Sequence, residues 1–506
     1  MPNRGTGRGK IGSKAVPYDV VVVGGGPAGA VISWALARRG FRVAVLEREH
    51  FPREKVCGDF VEPRGLKIFE QMECGPALRA TSLLPVTHVA MFLQAQCAYR
   101  GRIPFYAHNA NLPPHGYIVP REQLDEALLN SAKRAGATVF EACAATGVAR
   151  EGRHMRVSVR NKADPLSFYA RLVVGADGVR STVARSVGLL CDDSRYTAVS
   201  QRAYVGGVST DRGEAAFFFD DDLFPGYGWM FPMSGGRANV GVGILSETRD
   251  RCKVAVPQLF QNFIEKLRRL HPECARIRLL SRPIGGIVKT YGSAGPNHFD
   301  GGILVGDAGC FVDPITGEGI TPAAESALLA APTIVATLEK GEVGAQSLSQ
   351  FERDFRRYFD PAMQYLDFCA AVMRNRHLRE FWLTAARRGC EKAATDPEFA
   401  RAAGSAFGGM EVLSSSIFGH IFIKVIEDIC TEGTDVALDL LRGKVRMPMS
   451  WTRGITSWTW GWWQSALHDP FWHYSWSVDV LKKWTRVSSA MRLQTDPRAH
   501  GPSSFF

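Results

Sequence analysis

The first pattern along the chain is a β-branched run, a glycine cluster, an alanine-rich segment and a second β-branched run. It occupies residues 18–49, which read YDVVVVGGGPAGAVISWALARRGFRVAVLERE. Glycine-bounded β-branched runs predict strands, and the alanine-rich segment between them predicts a helix. The stretch is therefore a predicted β-α-β unit that closes on Glu47.

Two later segments place an aspartate at the end of an apolar run. RLVVGADGVRSTVARSVG presents Asp177 and Gly178 after one predicted strand. GGILVGDAGCFVDPITGEGITPAAESALLAA presents Asp307 after another, and a glycine-rich turn leads from there into a long predicted helix that begins near Thr321. A carboxylate at such a strand end can accept hydrogen bonds from ligand hydroxyl groups.

The least ordinary pattern is PGYGWMFPMSGGRANVGVG, residues 225–243. Side chains alternate between the two faces of a strand, so Tyr227, Trp229 and Phe231 are predicted to share one face. Three large rings would form an apolar wall, either beside a ligand or inside the core of a sheet. We expect Gly241 and Gly243 to shape the following strand so that a substrate can pass.

The C-terminal part reads differently from the rest. After Gln350 apolar and basic residues recur at helical spacing, which predicts a helical cap over residues 351–440. Residues 442–506 hold eight of the eleven tryptophans, with nine Lys or Arg against three Asp and no Glu. Tryptophan with basic charge is typical of an interfacial membrane anchor. Tryptophans that pack a small helical subdomain, 441–506, are the alternative.

Composition narrows the class of protein. A chain of 506 residues with 45% hydrophobic and 22% charged residues suits a globular protein of two or three domains. The net charge of +11 favours anionic partners. Eleven cysteines without CxxC pairs predict reduced thiols in a cytoplasmic protein, and no residues have metal-ligand spacing. Residues 1–17 are basic and glycine-rich and predict a disordered arm. No stretch reaches the roughly 18 apolar residues of a membrane-spanning helix.

The glycines of the β-α-β unit have the GxGxxG spacing of a dinucleotide site. Gly24 permits a tight turn, Gly26 lets the backbone approach a pyrophosphate, and Gly29 allows close packing of helix and strand. The helix N-terminus offers N–H groups to the anion. Glu47 would accept hydrogen bonds from the ribose hydroxyls. The unit alone leaves both NAD and FAD open.

The three strand-end motifs in this order resemble the FAD-dependent enzymes typified by p-hydroxybenzoate hydroxylase and geranylgeranyl reductase, over residues 18 to about 345. The resemblance implies an α/β fold and FAD as the cofactor. It also implies a discontinuous Rossmann-like FAD-binding domain, an interleaved mixed β-sheet substrate domain and a C-terminal helical region. The FAD-binding domain would cover residues 18–80, 110–190 and 285–350. The substrate domain would cover residues 81–109 and 191–284.

The resemblance also implies which residues bind FAD. Arg121, in YIVPREQLDEALLNSAKRAGATV, matches a family arginine near the pyrophosphate, and the helix start near Thr321 would face the flavin N1 and O2 atoms. The full implied set is Gly24, Gly26, Ala28, Gly29, Glu47, Arg48, Cys57, Gly58, Arg121, Asp177, Gly178, Asp307, Pro314, Gly317, Gly319 and Ile320.

Two motifs resemble the geranylgeranyl reductase branch. FPREKVCGDFVEPRG is similar to the segment KxCGxxLxPR, although Phe60 and Val61 stand where the family has a small residue and Leu. Residues 227–243 resemble its signature of an aromatic, Trp and Phe-Pro followed by Gly-x-Gly, whose rings shape an isoprenoid cavity beside the flavin. The candidate catalytic and substrate-wall residues are therefore Cys57, Tyr227, Trp229 and Phe231.

Other chemistries share this fold. Flavin-dependent halogenases have a related signature but need a lysine that captures hypohalous acid, and no lysine occurs between Lys67 and Lys133. A flavin monooxygenase, acting as a hydroxylase or epoxidase of secondary metabolism, stays open because its pocket has no sharp sequence mark. A flavin- and lipid-binding protein without catalytic activity is a further alternative.

The resemblance implies reduction of a carbon-carbon double bond in an isoprenoid or other hydrophobic substrate. Reduced FAD would deliver a hydride to one carbon, and an acid or water would protonate the other. No second GxGxxG motif follows a predicted strand to mark a separate NADPH domain, so the reductant stays open between NAD(P)H and a reduced electron carrier. We expect a cytoplasmic enzyme in peripheral contact with an anionic membrane at its inner face, and no nucleic-acid partner.

Overall fold

The computed structural model describes residues 17–75, 78, 84–94, 96–104, 112–160, 165–209, 212–292, 295–410 and 449–494. Apart from Pro17, the predicted disordered arm lies outside the described residues. The same holds for residues 411–448, at the end of the predicted cap and the start of the tryptophan-rich segment.

The described strands β1 to β19 are Tyr18–Val23, Val43–Leu46, Phe60–Val61, Pro85–Val86, His88–Leu93, Gln96–Arg102, Gly116–Ile118, Thr138–Phe140, Ala144–Glu151, His154–Arg160, Pro165–Gly175, Thr197–Gly206, Glu214–Phe219, Tyr227–Met233, Arg237–Leu245, Arg278–Leu279, Ile284–Lys289, His298–Phe299 and Gly302–Leu304. The described helices α1 to α12 are Pro27–Ala37, Pro63–Gln71, Arg121–Arg134, Thr182–Ser186, Ser246–Cys252, Val256–Leu270, Ile320–Lys340, Ala345–Met373, Arg379–Thr395, Pro397–Gly408, Met449–His468 and Pro470–Gln494.

The first sheet carries the predicted β-α-β unit. Its main path runs β18-β19-β11-β1-β2-β8, and β9 and β10 extend it through β11. The pairs β11-β1, β1-β2, β2-β8 and β11-β19 are parallel. Val20 to Val23 of β1 are buried, as expected for a central strand with both faces covered. The glycine turn after β1 therefore opens at the carboxyl edge of a parallel sheet, where α/β proteins bind ligands.

The second sheet carries Tyr227, Trp229 and Phe231, the rings that we call the aromatic wall, on strand β14. Its order is β16-β12-β15-β14-β13-β5-β6, with β17 also paired to β12, and a third small sheet has the order β3-β7-β4. The second sheet is mixed, because β13 and β5 are parallel and its other pairs are antiparallel. On β14, Met230 packs with Phe260 and Phe263 of α6, whereas Trp229 and Phe231 belong to the cluster on the opposite face. The predicted alternation is confirmed.

Helix α7 corrects the expectation that no segment is apolar enough to span a membrane. By length and composition Ile320–Lys340 would qualify, and it is the one such helix among the described residues. However, 78% of its apolar window is buried within the protein. It packs on α1 and α8 and forms part of the largest core cluster. Its hydrophobicity therefore serves the core.

The C-terminal helix α12 packs against α8. Lys483 Nζ donates a 2.5 Å hydrogen bond to Asp367 Oδ1, and the indole of Trp476 donates to the carbonyl of Ala371 at 2.8 Å. Both side chains of the ion pair are buried. The described part of the tryptophan-rich segment is thus anchored on the rest of the protein by a specific polar contact as well as by apolar packing.

Candidate cofactor and substrate site

The glycine turn between β1 and α1 forms the base of the site. Gly24 has φ +102°, and a Cβ atom on it would overlap the carbonyl oxygen of Ala176. A Cβ on Gly29 would overlap the carbonyl of Gly24. These two glycines are therefore required by the protein's own backbone packing.

Gly26 differs from its neighbours because nothing in the fold requires it. Its φ is −73°, and a Cβ atom would meet only the guanidinium of Arg53, at 3.5 Å. Gly26 is also the N-cap of α1, which has no side-chain cap and no acidic residue in its first turn. The helix N-terminus thus faces open space with its N–H groups available, which is the arrangement that binds a phosphate.

A cavity of about 960 Å³ extends from this turn, and we refer to it as the cofactor cavity. A cavity of this size suits a dinucleotide. Among the predicted cofactor residues it is lined by Gly24, Gly26, Ala28, Glu47, Arg48, Asp177, Gly178 and Asp307. Gly29 lies outside this lining, consistent with its packing role.

Glu47 is held rigidly at the end of β2. Its Oε2 accepts a 2.8 Å hydrogen bond from the backbone N–H of Gly25, and its Oε1 accepts one of 3.0 Å from that of Glu49. The carboxylate is buried yet lines the cavity. Each oxygen retains a second lone pair for a ribose hydroxyl. The neighbouring Arg48 is mostly exposed and forms a 3.4 Å ion pair with Glu49.

The two strand-end aspartates differ in their present partners. Asp177 accepts hydrogen bonds from Ser181 Oγ at 2.6 Å and from the backbone N–H of Thr182 at 2.6 Å, so it caps the short helix α4. Burial raises its pKa. Asp307 instead lies 3.5 Å from Lys55 Nζ. Asp307 is therefore the more available of the two for a ligand hydroxyl.

A second cavity of about 200 Å³ adjoins the first, and we call it the inner cavity. The two share lining residues, including Pro27, Lys55 and Asp307. The other predicted site residues meet here: Cys57, Gly58, Arg121, Tyr227, Trp229, Phe231, Pro314, Gly317, Gly319 and Ile320. The glycine-rich turn before α7 and the aromatic strand β14 thus lie on one cavity.

The aromatic wall consists of Tyr227, Trp229 and Phe231. The ring centroids of successive members lie 6.1 and 6.3 Å apart. Phe217 of β13 extends the wall, with its ring 5.7 Å from Tyr227 and 5.3 Å from Phe231. The Tyr227 hydroxyl donates to the carbonyl of Thr316, which joins the wall to the turn before α7. Apart from that hydroxyl and the indole N–H of Trp229, which donates to Asn239, the rings present apolar surface.

Gly241 has a definite function in this arrangement. It pairs with Trp229 across β14 and β15, and a Cβ atom on it would overlap the indole. Gly243 leaves more room, since a Cβ there would meet the same ring at 3.8 Å. The first glycine of the Gly-x-Gly pattern therefore accommodates the indole, which lies flat across the neighbouring strand.

Cys57 lies beside the wall, on the same cavity. Burial raises its pKa, against a lowering by Arg121. Its carbonyl accepts a 2.8 Å hydrogen bond from Asn239 Nδ2. A thiol of raised pKa is a poor nucleophile and a weak acid near neutral pH. Ten cysteines, Cys57 among them, lie in the described residues, and none of these ten forms a disulfide.

Arg121 lines the inner cavity and is absent from the lining of the cofactor cavity. It is buried and forms two hydrogen bonds of 2.8 and 2.7 Å with Asp125. Arg53 contacts the same carboxylate at 3.1 Å and is the residue that reaches Gly26. Arg53 is therefore the arginine nearest the helix N-terminus. Sequence reasoning missed it, because a single arginine in a loop carries no spacing signal.

A buried polar network also escaped sequence reasoning. Asp59 Oδ2 accepts hydrogen bonds from the Tyr204 hydroxyl at 2.6 Å and from Asn239 Nδ2 at 2.8 Å. Asn239 Oδ1 in turn accepts from the indole N–H of Trp229 at 2.9 Å. Burial raises the pKa of Asp59 to about 6. The network connects the loop that holds Cys57 to the aromatic wall.

A second group of buried acids surrounds Arg64. Its guanidinium donates a 2.8 Å hydrogen bond to Glu325 and lies 3.7 Å from Glu62. Burial raises the pKa of Glu62 to about 7 and that of Glu318 well above its usual range. Glu318 accepts a 2.8 Å hydrogen bond from the backbone N–H of Thr321 in the first turn of α7. Both glutamates also line the inner cavity.

Comparison with known proteins agrees with this geometry. A family model described as "FAD binding domain" matches residues 17–364. A menaquinone reductase of Mycobacterium tuberculosis is 32% identical over 322 residues, which are 62% of this chain and 75% of that protein. The digeranylgeranylglycerophospholipid reductase 2 of Methanopyrus kandleri is 30% identical over 366 residues, 69% of this chain and 84% of that protein.

A solved structure shows the same fold. A geranylgeranyl bacteriochlorophyll reductase-like protein of Thermoplasma acidophilum has a TM-score of 0.63 at 21% identity, covering 81% of this chain and 96% of that one. The family match ends at residue 364. The last helices, including the described tryptophans from Trp460 onward, therefore lie beyond the region that the family model covers.

Proposed function

The chain belongs to the FAD-binding-domain family and, within it, to the geranylgeranyl reductase group of FAD-dependent oxidoreductases, and from this premise we propose that it reduces carbon-carbon double bonds of an isoprenoid substrate. The observation that carries the proposal is the aromatic wall on a cavity that adjoins the cofactor cavity. Two relatives are named reductases, of menaquinone and of digeranylgeranylglycerophospholipid.

FAD would be held by the residues of the cofactor cavity. The uncapped N-terminus of α1 beside Gly26 and the nearby Arg53 suit its pyrophosphate, and Glu47 suits its adenosine ribose. Asp307 and the turn before α7 suit the flavin end. Asp307 lines both cavities, whereas the turn before α7 lines the inner cavity alone. When bound and reduced, FAD supplies a hydride.

The protein's own contribution is position and exclusion of water. An isolated alkene offers no carbonyl for an acid to polarise, so orientation against the cofactor must provide much of the rate. Tyr227, Trp229 and Phe231 would hold the chain by apolar contact, and the Tyr227 hydroxyl is already occupied by Thr316. The wall therefore selects an apolar chain and offers no strong polar anchor to it.

The experiment is anaerobic. The purified flavoprotein is photoreduced, mixed with a polyprenyl lipid, and the extracted lipid is analysed by mass spectrometry. We expect reoxidation of the flavin together with two added hydrogens per reduced double bond. Product that appears only with oxygen, and that carries an added oxygen atom, would show a monooxygenase and contradict the proposal. Bound flavin that reacts with no donor or acceptor would identify a flavin- and lipid-binding protein.

We further propose that the enzyme contacts an anionic membrane through α11 and α12. Trp460, Trp463 and Leu467 are exposed at helical spacing on α11, and Phe471 and Tyr474 are exposed on α12. The exposed fraction is 64% for Trp460 and 89% for Phe471. The exposed cations Lys482 and Arg486 lie on the same helix as Phe471. Exposed aromatic and basic residues together suit a headgroup region, where a lipid substrate would be available.

The electron donor of the proposed reaction is NAD(P)H or a reduced electron carrier. The GxGxxG motif at Gly24, Gly26 and Gly29 supports FAD, and no second such motif follows a predicted strand, as a separate nicotinamide-binding domain would require. Anaerobic mixing of the oxidised enzyme with NADH, with NADPH and with a reduced ferredoxin separates these donors. Bleaching of the flavin absorbance by one of them identifies the class, and bleaching by the carrier alone would exclude direct nicotinamide reduction.

A further inference from the structure

Asp59 is the most unusual buried group beside the inner cavity. Its side chain is fully buried and lines that cavity. Oδ2 accepts the two hydrogen bonds from Tyr204 and Asn239, whereas Oδ1 has no hydrogen-bond partner among the described residues. A buried carboxylate oxygen without a partner is destabilising, so its presence calls for a functional reason.

The backbone at Asp59 is also strained. Its φ is +63°, in the left-handed region that residues other than glycine rarely adopt. Such strain persists where the surrounding structure holds it, and it concentrates at functional sites. Here the backbone N–H of Val119 donates to the carbonyl of Asp59 at 2.8 Å, and Asn239 binds both Asp59 and the carbonyl of Cys57. The carboxyl is thus fixed in place.

The two arginines that act on Asp59 are bonded to other carboxylates. Arg202 of β12 lies over the Tyr204 ring at 4.4 Å, and its guanidinium bonds to Glu54 at 3.1 Å. Arg121 of α3 is engaged by Asp125. Neither arginine forms an ion pair with Asp59 within the part of the chain that the structure describes. Burial therefore dominates over these two cations and raises the pKa of the carboxyl.

We propose that Asp59 is the proton donor of the alkene reduction, an assignment that rests on the proposed function. The alkene accepts a hydride from reduced FAD at one carbon, and its π bond breaks as the second carbon takes the proton of Asp59. Two C–H bonds form, the alkene gains two electrons and FAD loses two. The Asp59 carboxylate then regains a proton from water.

The other ionisable groups on the inner cavity are less suited to this role. The thiol of Cys57 has a raised pKa and transfers a proton less readily than a carboxyl. Glu318 accepts a hydrogen bond from the backbone N–H of Thr321, and Glu62 lies 3.7 Å from the guanidinium of Arg64. Asp59 combines an oxygen that has no partner with a direct link, through Asn239, to the indole of the aromatic wall. Proton donor and substrate wall are thereby held in one rigid unit.

The test compares Asp59→Asn with Tyr204→Phe. Asparagine has the shape of aspartate and tolerates the left-handed backbone, so the loop should keep its conformation. In anaerobic single turnover with photoreduced enzyme, we expect Asp59→Asn to slow flavin reoxidation by the polyprenyl substrate about 10²- to 10⁴-fold. The affinities for FAD and for the substrate, measured with the oxidised protein, should change less than about 3-fold, since the apolar wall remains.

Tyr204→Phe tests the pH dependence of the rate, which a purely structural role of Asp59 would leave unchanged. The active form of Asp59 is protonated, so the wild-type rate should fall as pH rises through its pKa. The Tyr204 hydrogen bond lowers that pKa by stabilising the carboxylate. Removal of this hydrogen bond should therefore move the pH at which the rate of flavin reoxidation falls to a higher value, while turnover persists. An unshifted pH dependence would overturn the assignment.

Infrared spectroscopy gives an independent measurement on the protein without FAD. A carboxylic acid band that titrates above the ordinary aspartate range should be present in the wild type and missing in Asp59→Asn. Wild-type turnover with an unaffected Asp59→Asn variant would refute the proton-donor role and leave the proposed function intact. Loss of turnover in Glu318→Gln but not in Asp59→Asn would assign the proton to Glu318 instead. A wild type that reduces no alkene would refute the proposed function itself.

Discussion

Gly241 lies directly beneath the indole of Trp229, so closely that even one methyl group would overlap the ring. Trp229 is buried, and its N–H is satisfied by Asn239. The position of the largest ring in the aromatic wall is thus determined by the absence of a side chain on the neighbouring strand. This dependence leads to the first prediction.

Gly241→Ala should displace the indole and impair turnover while FAD stays bound. The added methyl group competes with the ring for the same space, and overpacking of this kind costs about 1–3 kcal/mol. Near-ultraviolet circular dichroism and flavin reoxidation should both change. Gly243→Ala is the matched control, because its new Cβ would lie 3.8 Å from the ring. If the control variant alters the tryptophan signal equally, steric displacement of Trp229 is not the cause.

Trp229→Ala should leave the cofactor site formed and greatly slow reduction of the substrate. Loss of a buried aromatic side chain costs about 3–5 kcal/mol of stability. FAD binding should persist, since the proposed pyrophosphate and ribose contacts lie on the cofactor cavity, whose lining does not include Trp229. Trp229→Phe tests the polar contact separately. It keeps a ring but leaves Asn239 Oδ1 without its donor, for a loss of about 1–3 kcal/mol in urea unfolding.

Gly26→Ala and Gly29→Ala should separate cofactor binding from folding. At Gly26 the new methyl group meets only the guanidinium of Arg53, in ordinary contact at 3.5 Å, and φ is a permitted −73°, so we expect the free energy of unfolding without FAD to change by less than about 0.5 kcal/mol. FAD affinity should nevertheless fall sharply, because the methyl group occupies the pyrophosphate cradle. Gly29→Ala overlaps the carbonyl of Gly24 and should destabilise the protein even without FAD. Unchanged FAD affinity in Gly26→Ala would place the pyrophosphate elsewhere.

The parts of the fold that sequence predicted are those with a local signal. The unit from Tyr18 to Glu47 is marked by composition and glycine spacing within about thirty residues. The shared face of Tyr227 and Phe231 follows from the two-residue period of a strand. Both signals are read from neighbours in the chain, which is why they hold in the structure.

The parts that sequence missed depend on distant contacts. Asp59 meets Tyr204 and Asn239 across 145 and 180 residues, and no periodicity marks any of the three. Arg53 reaches the helix N-terminus only because its loop folds back over the glycine turn. The hydrophobicity of α7 was misjudged for the opposite reason. Its apolar residues come in short runs, such as residues 327–331, that Thr, Ser, Glu and Pro interrupt, so no long run is visible although the average hydropathy is high.

Glu62→Gln should alter the dependence of stability on pH. In the folded protein burial raises the pKa of Glu62 to about 7, from a value of 4.5 in the unfolded chain. As pH rises from 4.5 to 7 the unfolded state loses this proton first, so wild-type stability falls relative to the variant. Between pH 4.5 and 8 the wild type should lose about 2–3 kcal/mol of unfolding free energy relative to Glu62→Gln. Urea titrations at the two pH values measure it.

The control for Glu62 is Glu339→Gln, which removes an exposed carboxyl near the end of α7. We expect its difference from the wild type to be the same at both pH values within error. A Glu62→Gln curve that runs parallel to the wild-type curve would mean that Glu62 is already ionised at pH 5, and that Arg64 compensates fully for its burial.

Lys483→Met should loosen α12. The wild-type ammonium is 4% exposed and bonds to the buried Asp367, and removing one partner of a buried ion pair typically costs about 3–5 kcal/mol. The neighbouring Lys482→Met is a matched control, since that side chain is exposed. Limited proteolysis should release the C-terminal helices faster in the first variant only. Adding Asp367→Asn to Lys483→Met should recover part of the loss, because the unpaired charge is then gone.

The exposed aromatic residues of α11 and α12 should bind anionic vesicles. Simultaneous replacement of Trp460, Leu467 and Phe471 by Ser removes three large exposed side chains without disturbing buried ones. Cosedimentation with phosphatidylglycerol vesicles should then fall at least about 10-fold, because each buried apolar side chain contributes on the order of 1.5–3 kcal/mol. Stability and anaerobic reduction of a detergent-dispersed substrate should be retained.

A control for this surface lies at the end of β16, where Leu279 and the residue that follows the strand, Leu280, are also exposed. Replacing these two by Ser should leave vesicle binding unchanged, since no tryptophan or helical apolar stripe accompanies them. Added salt should weaken wild-type binding, because Lys482 and Arg486 contribute charge attraction that ions screen within about 10 Å at 0.1 M. Equal binding by the triple Ser variant and the wild type would show that α11 and α12 face another protein or solvent, and that the lipid reaches the inner cavity by another route.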